Sequence, residues 1–104
     1  MSSPHKLLLI FVAETDMWEQ LPLYEAIVRR LRQLEVAGTT VLTGTMGFGS
    51  HQKVHRKRLF GVSDDRPVTI CVAESETKLR AIVPEIRSML KEGLILLLDA
   101  ERLD

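Results

Sequence analysis

A segment rich in glycine and cations, residues 44–58, contains the residue types of this chain best suited to bind an anion. It reads GTMGFGSHQKVHRKR, so three glycines within six residues precede four cations and two histidines. Glycine lets backbone N–H groups approach an anion closely, because it has no Cβ to block unusual backbone conformations. Clustered cations can neutralise phosphate or carboxylate groups held nearby. The segment predicts an anion-binding site, with a solvated loop as the alternative.

The glycine spacing excludes two familiar nucleotide motifs. Gly44, Gly47 and Gly49 do not follow the dinucleotide fingerprint, G-x-G-x-x-G at the start of a helix, because they leave a strand-like run. They do not form a phosphate-binding Walker loop either, since no Gly-Lys-Ser/Thr follows them. Any anion bound here would be held by a different arrangement.

Two histidines in the segment raise the question of a metal site. His51 and His55 are four residues apart, so on a helix they would share one face, as metal ligands can. However, Lys53, Arg56 and Lys57 surround them and would repel a dication. We expect no metal site, and we expect these histidines to help bind an anion or to pack locally.

Composition limits the other classes of partner. Lys+Arg and Asp+Glu both total 14 of 104 residues, so the formal net charge is zero and no overall field attracts nucleic acid. The basic run also lacks the interleaved aromatic residues that stack on bases. With 45% hydrophobic and 27% charged residues, the chain has the composition of one globular domain over residues 1–104. We expect no nucleic-acid partner.

Cysteine content and apolar runs indicate the compartment. Cys71 is the single cysteine, which excludes an internal disulfide and a thiolate metal cluster, and its apolar neighbours predict a place in the core. The apolar run at residues 7–13 is followed by acidic residues and no cleavage site, which is atypical of a signal peptide. Residues 94–98 are too few to span a bilayer, which needs about 20 apolar residues. We expect a cytoplasmic protein.

The apolar periodicity predicts the elements that must position these residues. Strands are predicted at residues 6–13, 39–43, 67–74 and 94–100, and helices between Pro22 and Gly38 and from Ser75 or Thr77 to Gly93. Pro22 suits a first helical turn, and Gly38 is placed for a left-handed cap. Pro84 predicts a kink or a late start of the second helix.

This order, β-α-β-β-α-β, predicts an α+β, ferredoxin-like sandwich. Four antiparallel strands form one sheet, and two helices cover one of its faces. The other face is left open. Because residues 7–13 and 94–98 are so apolar, they would expose a hydrophobic patch there, and such patches usually mark interfaces. We expect an oligomer.

Short motifs spread over residues 6–99 are similar to those of a known family. They are KLL from residue 6, PLYE from 22, GTTV from 38, GTMGFG from 44, HR from 55, LF from 59, D-x-P from 65 and IVP from 82. Together with the element order, they resemble the uncharacterised PII-like family that has the domain-of-unknown-function label 190. The glycine element followed by His-Arg is the most specific of these motifs.

The resemblance implies a PII-like regulatory protein rather than an enzyme. It implies a homotrimer with its sheets around a central channel, and a cleft between subunits in which relatives bind adenine nucleotides. It also implies a flexible loop, about residues 47–65 here, that contacts a protein partner. A membrane transporter or channel is the partner that the resemblance suggests, since relatives are associated with fluoride export. No cofactor is implied beyond the nucleotide ligand.

The candidate ligand-binding residues combine the glycine- and cation-rich segment with one residue near the end of the sequence. They are Gly44, Gly47, Phe48, Gly49, His55, Arg56, Lys57, Arg58 and Arg102. Arg102 is included because nucleotide-binding relatives use a terminal arginine on a neighbour's ligand. Those relatives also have a glycine- and lysine-rich loop before the last strand, where this chain has only residues 91–93. A nucleotide with fewer phosphates than ATP, another anion, or no ligand therefore stays open.

A small ferredoxin-like oligomeric enzyme is the alternative function. Glu14, Asp16 and either His51 or His55 are its candidate acids and bases. A catalytic site needs such groups to converge, and no spacing in the sequence pairs them. We therefore favour the ligand-binding regulatory module.

Overall fold

Four long strands and two helices form the body of the protein. The computed structural model describes residues 4–48 and 65–104. In chain order the elements are β1 His5–Ala13, β2 Met17–Trp18, β3 Leu21–Pro22, α1 Leu23–Gln33, β4 Gly38–Thr43, β5 Pro67–Ser75, α2 Glu76–Met89 and β6 Leu94–Asp99. The predicted α+β, ferredoxin-like arrangement is confirmed. The short β2–β3 hairpin is an addition that the periodicity did not indicate, because two-residue strands are too short to show a period.

The main sheet has the strand order β4-β5-β1-β6, and every neighbouring pair is antiparallel. The central strands β1 and β5 pair along their full lengths, from His5 opposite Ser75 to Ala13 opposite Pro67. The edge strands β4 and β6 are shorter, at six residues each. Strands that follow one another in the chain are not all neighbours in the sheet, because each helix connects strands across one face of the sheet, as the β-α-β-β-α-β order predicts.

Alternate residues of the central strands form the core beneath the helices. Successive strand residues point to opposite faces, so half of each apolar run faces the helices. The core residues are Leu8, Ile10, Val12, Val68, Ile70 and Val72 from the sheet and Leu23, Ile27, Leu31, Leu79, Ile82 and Ile86 from the helices. The helical residues recur at intervals of three or four, which places them on one face of each helix.

Helix α1 ends earlier than predicted, and Gly38 is not its cap. Leu34 is the C-cap, and Glu35 takes the left-handed conformation with φ 61°. The Val36 N–H donates to the Leu31 carbonyl at 3.3 Å and the Glu35 N–H to the Arg32 carbonyl at 3.0 Å, as in a Schellman motif. The ammonium group of Lys78 also donates to the Glu35 carbonyl, which stabilises this turn from another helix. Gly38 instead begins β4.

Helix α2 begins at Glu76 and continues through Pro84. The Ser75 hydroxyl accepts a hydrogen bond from the Lys78 N–H at 3.3 Å, which identifies Ser75 rather than Thr77 as the N-cap. The alternative of a late start at Pro84 is wrong, because the buried Leu79 and Ile82 hold the first half of the helix on the sheet. The helix ends at Met89, and Gly93 lies in the turn that enters β6.

Candidate functional site

The glycines that follow β4 pack against Pro67 at the start of β5. The Gly44 N–H donates to the Pro67 carbonyl at 2.7 Å. A Cβ on Gly44 would lie 2.8 Å from Pro67 Cγ, and one on Gly47 would lie 3.2 Å from the same atom. Glycine is therefore required at position 44 for close packing, and its N–H is engaged within the protein.

Beyond Gly47, the structure describes one more candidate residue of this segment, Phe48. Phe48 is 86% exposed, which leaves its ring free to meet another molecule. Gly49, His55, Arg56, Lys57 and Arg58 lie outside the described residues, as do His51 and most of the predicted flexible loop. Anion binding by this segment stays a prediction. Besides the predicted anion binding, the packing on Pro67 is a second reason for glycine at position 44, and the local sequence did not indicate it.

Residues 65 and 66, just before β5, are anchored to the turn that follows β1. The Glu14 N–H donates to the Arg66 carbonyl at 2.8 Å, and the Thr15 hydroxyl donates to the Asp65 carboxylate at 2.9 Å. The Asp16 carboxylate accepts the Ala13 N–H at 3.0 Å and so closes the turn after β1. These contacts fix where residues 65–67 begin β5. They also give Asp16, one of the candidate acids of the enzymatic alternative, a structural role.

A groove of about 650 Å³ lies at the opposite end of the sheet. Residues of β1, β4, β5 and the tail after β6 line it, among them His5, Leu7, Gly38, Thr40, Ala73 and Arg102. Gly38 pairs with Ala73, which in turn pairs with Leu7, so two adjacent positions have almost no side chain. The register of the strands places these two small residues side by side, and the space that they leave over the sheet forms the groove. Arg102 brings a guanidinium group to its margin.

Polar contacts hold Arg102 in position. Its Nε donates to Asp104 Oδ1 at 2.6 Å and its Nη2 to Asp104 Oδ2 at 3.3 Å. Its Nη1 lies 3.2 Å from Nε2 of His5, and since a guanidinium group can only donate, this contact is a hydrogen bond when Nε2 accepts. The Arg102 hydrogen bond lowers the pKa of Asp104 and the same contact raises the pKa of Arg102.

Carboxylates fix the strand ends that border the groove. The Glu74 carboxylate accepts the Ser75 N–H at 2.9 Å and the Ala37 N–H at 2.8 Å, which holds the residue before β4 against the end of β5. These backbone hydrogen bonds, with that from Ser75 the largest cause, lower the pKa of Glu74. Lys6 contacts the Asp99 carboxylate and lies 3.8 Å from Glu76 Oε1. The hydrogen bond from Lys6 lowers the pKa of Asp99.

Gly44 and Arg102, two described members of the candidate ligand-binding set, lie at opposite ends of one sheet. Thr43, which precedes Gly44, pairs with Val68, and Val68 pairs with Val12 of β1. Asp99, which precedes the tail that contains Arg102, pairs with Lys6 at the other end of β1. Six residues of β1 separate these rows, or roughly 20 Å. A small ligand cannot contact both Gly44 and Arg102 of one chain, so a site that uses both residues needs two copies.

The face of the sheet opposite the helices is apolar along β1 and β6. Leu7, Leu9 and Phe11 pair with Leu98, Leu96 and Leu94, respectively. The exposed fractions are 51% for Leu94, 41% for Leu96 and 39% for Leu98, and Leu42 on β4 is 55% exposed. We call this surface the open sheet face. Cys71 is half-buried on this face, between Thr40 and Leu9. The prediction that Cys71 lies in the core is wrong, because its chain neighbours Ile70 and Val72 take the core positions.

The part of the chain that the structure describes contains neither a metal-binding cluster nor a membrane-spanning helix. Among residues 4–48 and 65–104, no three histidine, cysteine or acidic side chains group closely enough to hold a metal ion. Within the same residues, neither helix combines the length and apolar character needed to cross a membrane.

Comparison with known proteins agrees with the motifs and the fold. A family model, DUF190, described as "Uncharacterized ACR", matches residues 5–102. A UPF0166 protein of Aquifex aeolicus (strain VF5) is 30% identical over 96 residues, which cover 92% of this chain and 90% of that protein. A UPF0166 protein of Methanocaldococcus jannaschii is 30% identical over 95 residues, which cover 90% of this chain and 87% of that protein. With its ferredoxin-like fold, its glycine element and this match over nearly its whole length, the chain belongs to the PII-like family DUF190.

Proposed function

We propose that this protein is a PII-like regulatory module that binds a small anionic ligand between its subunits. In this proposal three copies form a ring, and segment 47–65 transmits the state of the ligand site to a protein partner. The observation that carries the proposal is the groove at Arg102, where a guanidinium group borders a hollow of small residues. Family membership supports it, since the fold is PII-like.

The chemistry of the groove suits an adenine nucleotide. Its floor is apolar or small at Leu7, Cys71 and Ala73, which suits the flat face of a base or sugar. Thr40 offers a hydroxyl group, and Arg102 offers the paired N–H donors that bind phosphate. The connection before β6 is short, so we expect a ligand with fewer phosphates than ATP to be preferred.

Assembly into a ring would bring the separated parts together. The groove at Arg102 and the glycines after β4 are roughly 20 Å apart along the sheet. In a head-to-tail ring, one end of a subunit meets the opposite end of the next, and a ring with three members closes. The open sheet face supplies the apolar surface that such an interface buries.

The regulatory step follows from differential affinity. A ligand that contacts Gly47 and the cations at residues 55–58 in only one arrangement of the segment shifts the population toward that arrangement. The favoured arrangement then gains or loses a protein partner, for which we propose a membrane transporter or channel. We propose no catalytic step, because binding and ordering of the segment suffice for this role.

Calorimetric titration tests the proposal. AMP, ADP, ATP, cyclic AMP and bicarbonate would be titrated into the wild type, the Arg102→Ala variant and the Arg87→Ala variant, whose exposed arginine on α2 serves as a matched control. We expect at least one nucleotide to bind and Arg102→Ala to weaken it about tenfold or more, since hydrogen bonds to charged groups are strong. Arg87→Ala should bind as the wild type does. Absence of heat and of a melting-temperature change with every compound would refute ligand binding.

A further inference from the structure

We infer that Asp104 is an internal competitor for the ligand site, whose carboxylate occupies Arg102 until an anionic ligand displaces it. This inference rests on the proposed function, because it concerns the same arginine. It adds a regulatory element to the site: the tail after β6 contains both the residue that binds the ligand and the acidic group that replaces it.

The geometry of the guanidinium group supports direct competition. Asp104 accepts from Nε and Nη2 at 2.6 and 3.3 Å, which is the bidentate arrangement that a phosphate would also use. His5 lies at 3.2 Å from the remaining nitrogen, Nη1, and so holds the group from its other side. Because Asp104 occupies the Nε–Nη2 edge, an anion that pairs with both of these nitrogens must first remove Asp104.

The exposure of the pair makes the contact easy to exchange. The Arg102 and Asp104 side chains are 58% and 75% exposed, and exposed ion pairs contribute little to stability because water competes for both groups. Asp104 therefore weakens ligand binding by a small factor without preventing it. A ligand with a dianionic phosphate can replace both hydrogen bonds, whereas a neutral nucleoside cannot, so the competitor favours charged ligands.

Asp104→Asn tests the competition, with Glu101→Gln as the comparison. Glu101→Gln removes the same charge from the same tail but leaves the Arg102–Asp104 contact in place, so it measures the effect of charge alone. With ADP as the probe, we expect Asp104→Asn to bind roughly two- to fivefold more tightly than the wild type and to exceed any gain from Glu101→Gln. Equal effects of the two substitutions would overturn the inference.

A second measurement keeps this test separate from the proposed function. Inorganic phosphate would be titrated while the Arg102 Nε–H resonance is followed by NMR. We expect this resonance to respond at a lower phosphate concentration in Asp104→Asn than in the wild type or Glu101→Gln. If ADP binds none of the proteins, the proposed nucleotide function fails, and this phosphate difference alone still supports the competition. Identical phosphate responses in all three proteins would overturn the inference.

Discussion

Close contacts explain two glycines of this chain, Gly93 and Gly44. Gly93 has a φ of +146°, and a Cβ there would lie 2.9 Å from the Phe11 carbonyl oxygen. Gly44 has a Cβ position 2.8 Å from Pro67 Cγ. The importance of the glycines could be predicted from the sequence, but the packing role of Gly44 could not, because Pro67 is distant in sequence and its contact depends on the pairing of β4 with β5.

Replacing Gly93 with alanine should destabilise the protein. An L-residue is strained at this φ, and its Cβ would collide with backbone that cannot move aside easily. We expect Gly93→Ala to lower the free energy of unfolding by about 1–3 kcal/mol, measured by urea denaturation. Gly38→Ala is the control, because nothing lies within 4 Å of its Cβ position. Equal stability of the two variants would contradict the strain expected of a side chain at position 93.

A double-mutant cycle should reveal the contact between Gly44 and Pro67. Gly44→Ala places a methyl group against the proline ring, so we expect a loss of about 1–3 kcal/mol in unfolding free energy. In a Pro67→Ala background the ring is absent, and the same substitution should have a smaller effect. Additive effects would mean that Gly44 does not pack on the Pro67 ring.

The apolar periodicity of the sequence predicts the elements themselves more accurately than it predicts where they end. The core faces of β1, β5, α1 and α2 follow periods of two and of three to four, so each element was predicted from the sequence. The end of α1 was not, because Glu35 takes a left-handed conformation that usually belongs to glycine. A contact from Lys78 on α2 stabilises this turn, and such tertiary contacts have no local signature.

Glu74 should make stability depend on acidic pH. Backbone N–H groups lower its pKa below the ordinary value of 4.5, so its ionised form stabilises the folded state at neutral pH. This contribution is present above the ordinary pKa of 4.5 and is lost as the pH falls below 4.5 and through the lowered pKa. In urea denaturation across this range, Glu74→Gln should show a shallower decrease than the wild type. An unchanged pH dependence would exclude Glu74 as a source of the acid sensitivity.

At the scale of the whole molecule, the open sheet face is the surface that the proposed assembly would bury. Apolar residues on β1 and β6 align across the sheet, and they leave a surface that a monomer would expose to water. The sequence predicted this surface because both strands are continuously apolar, whereas one exposed face usually shows alternation. It did not predict the groove at Arg102, which depends on the register of Gly38 with Ala73.

A charge on the open sheet face should prevent assembly. We expect light scattering at micromolar concentration to give the wild type a mass of about three times the 11.8 kDa chain. Leu96→Glu should give monomers, because burying an unpaired carboxylate is unfavourable. Ala81→Glu, on the exposed face of α2, should leave the mass unchanged. A wild-type monomer, or a Leu96→Glu trimer, would exclude this face as the interface.

The most direct test of the central claim is to mix subunits that lack opposite parts of the ligand site. Arg102→Ala removes the guanidinium group from the groove, and Gly47→Val obstructs the loop at the other end of the sheet. Each variant alone should fail to bind the nucleotide that the wild type binds. In trimers co-assembled from equal amounts of both, random neighbours should restore about a quarter of the sites by calorimetry, because the site is formed between subunits. No restored binding in correctly assembled mixed trimers would contradict the account.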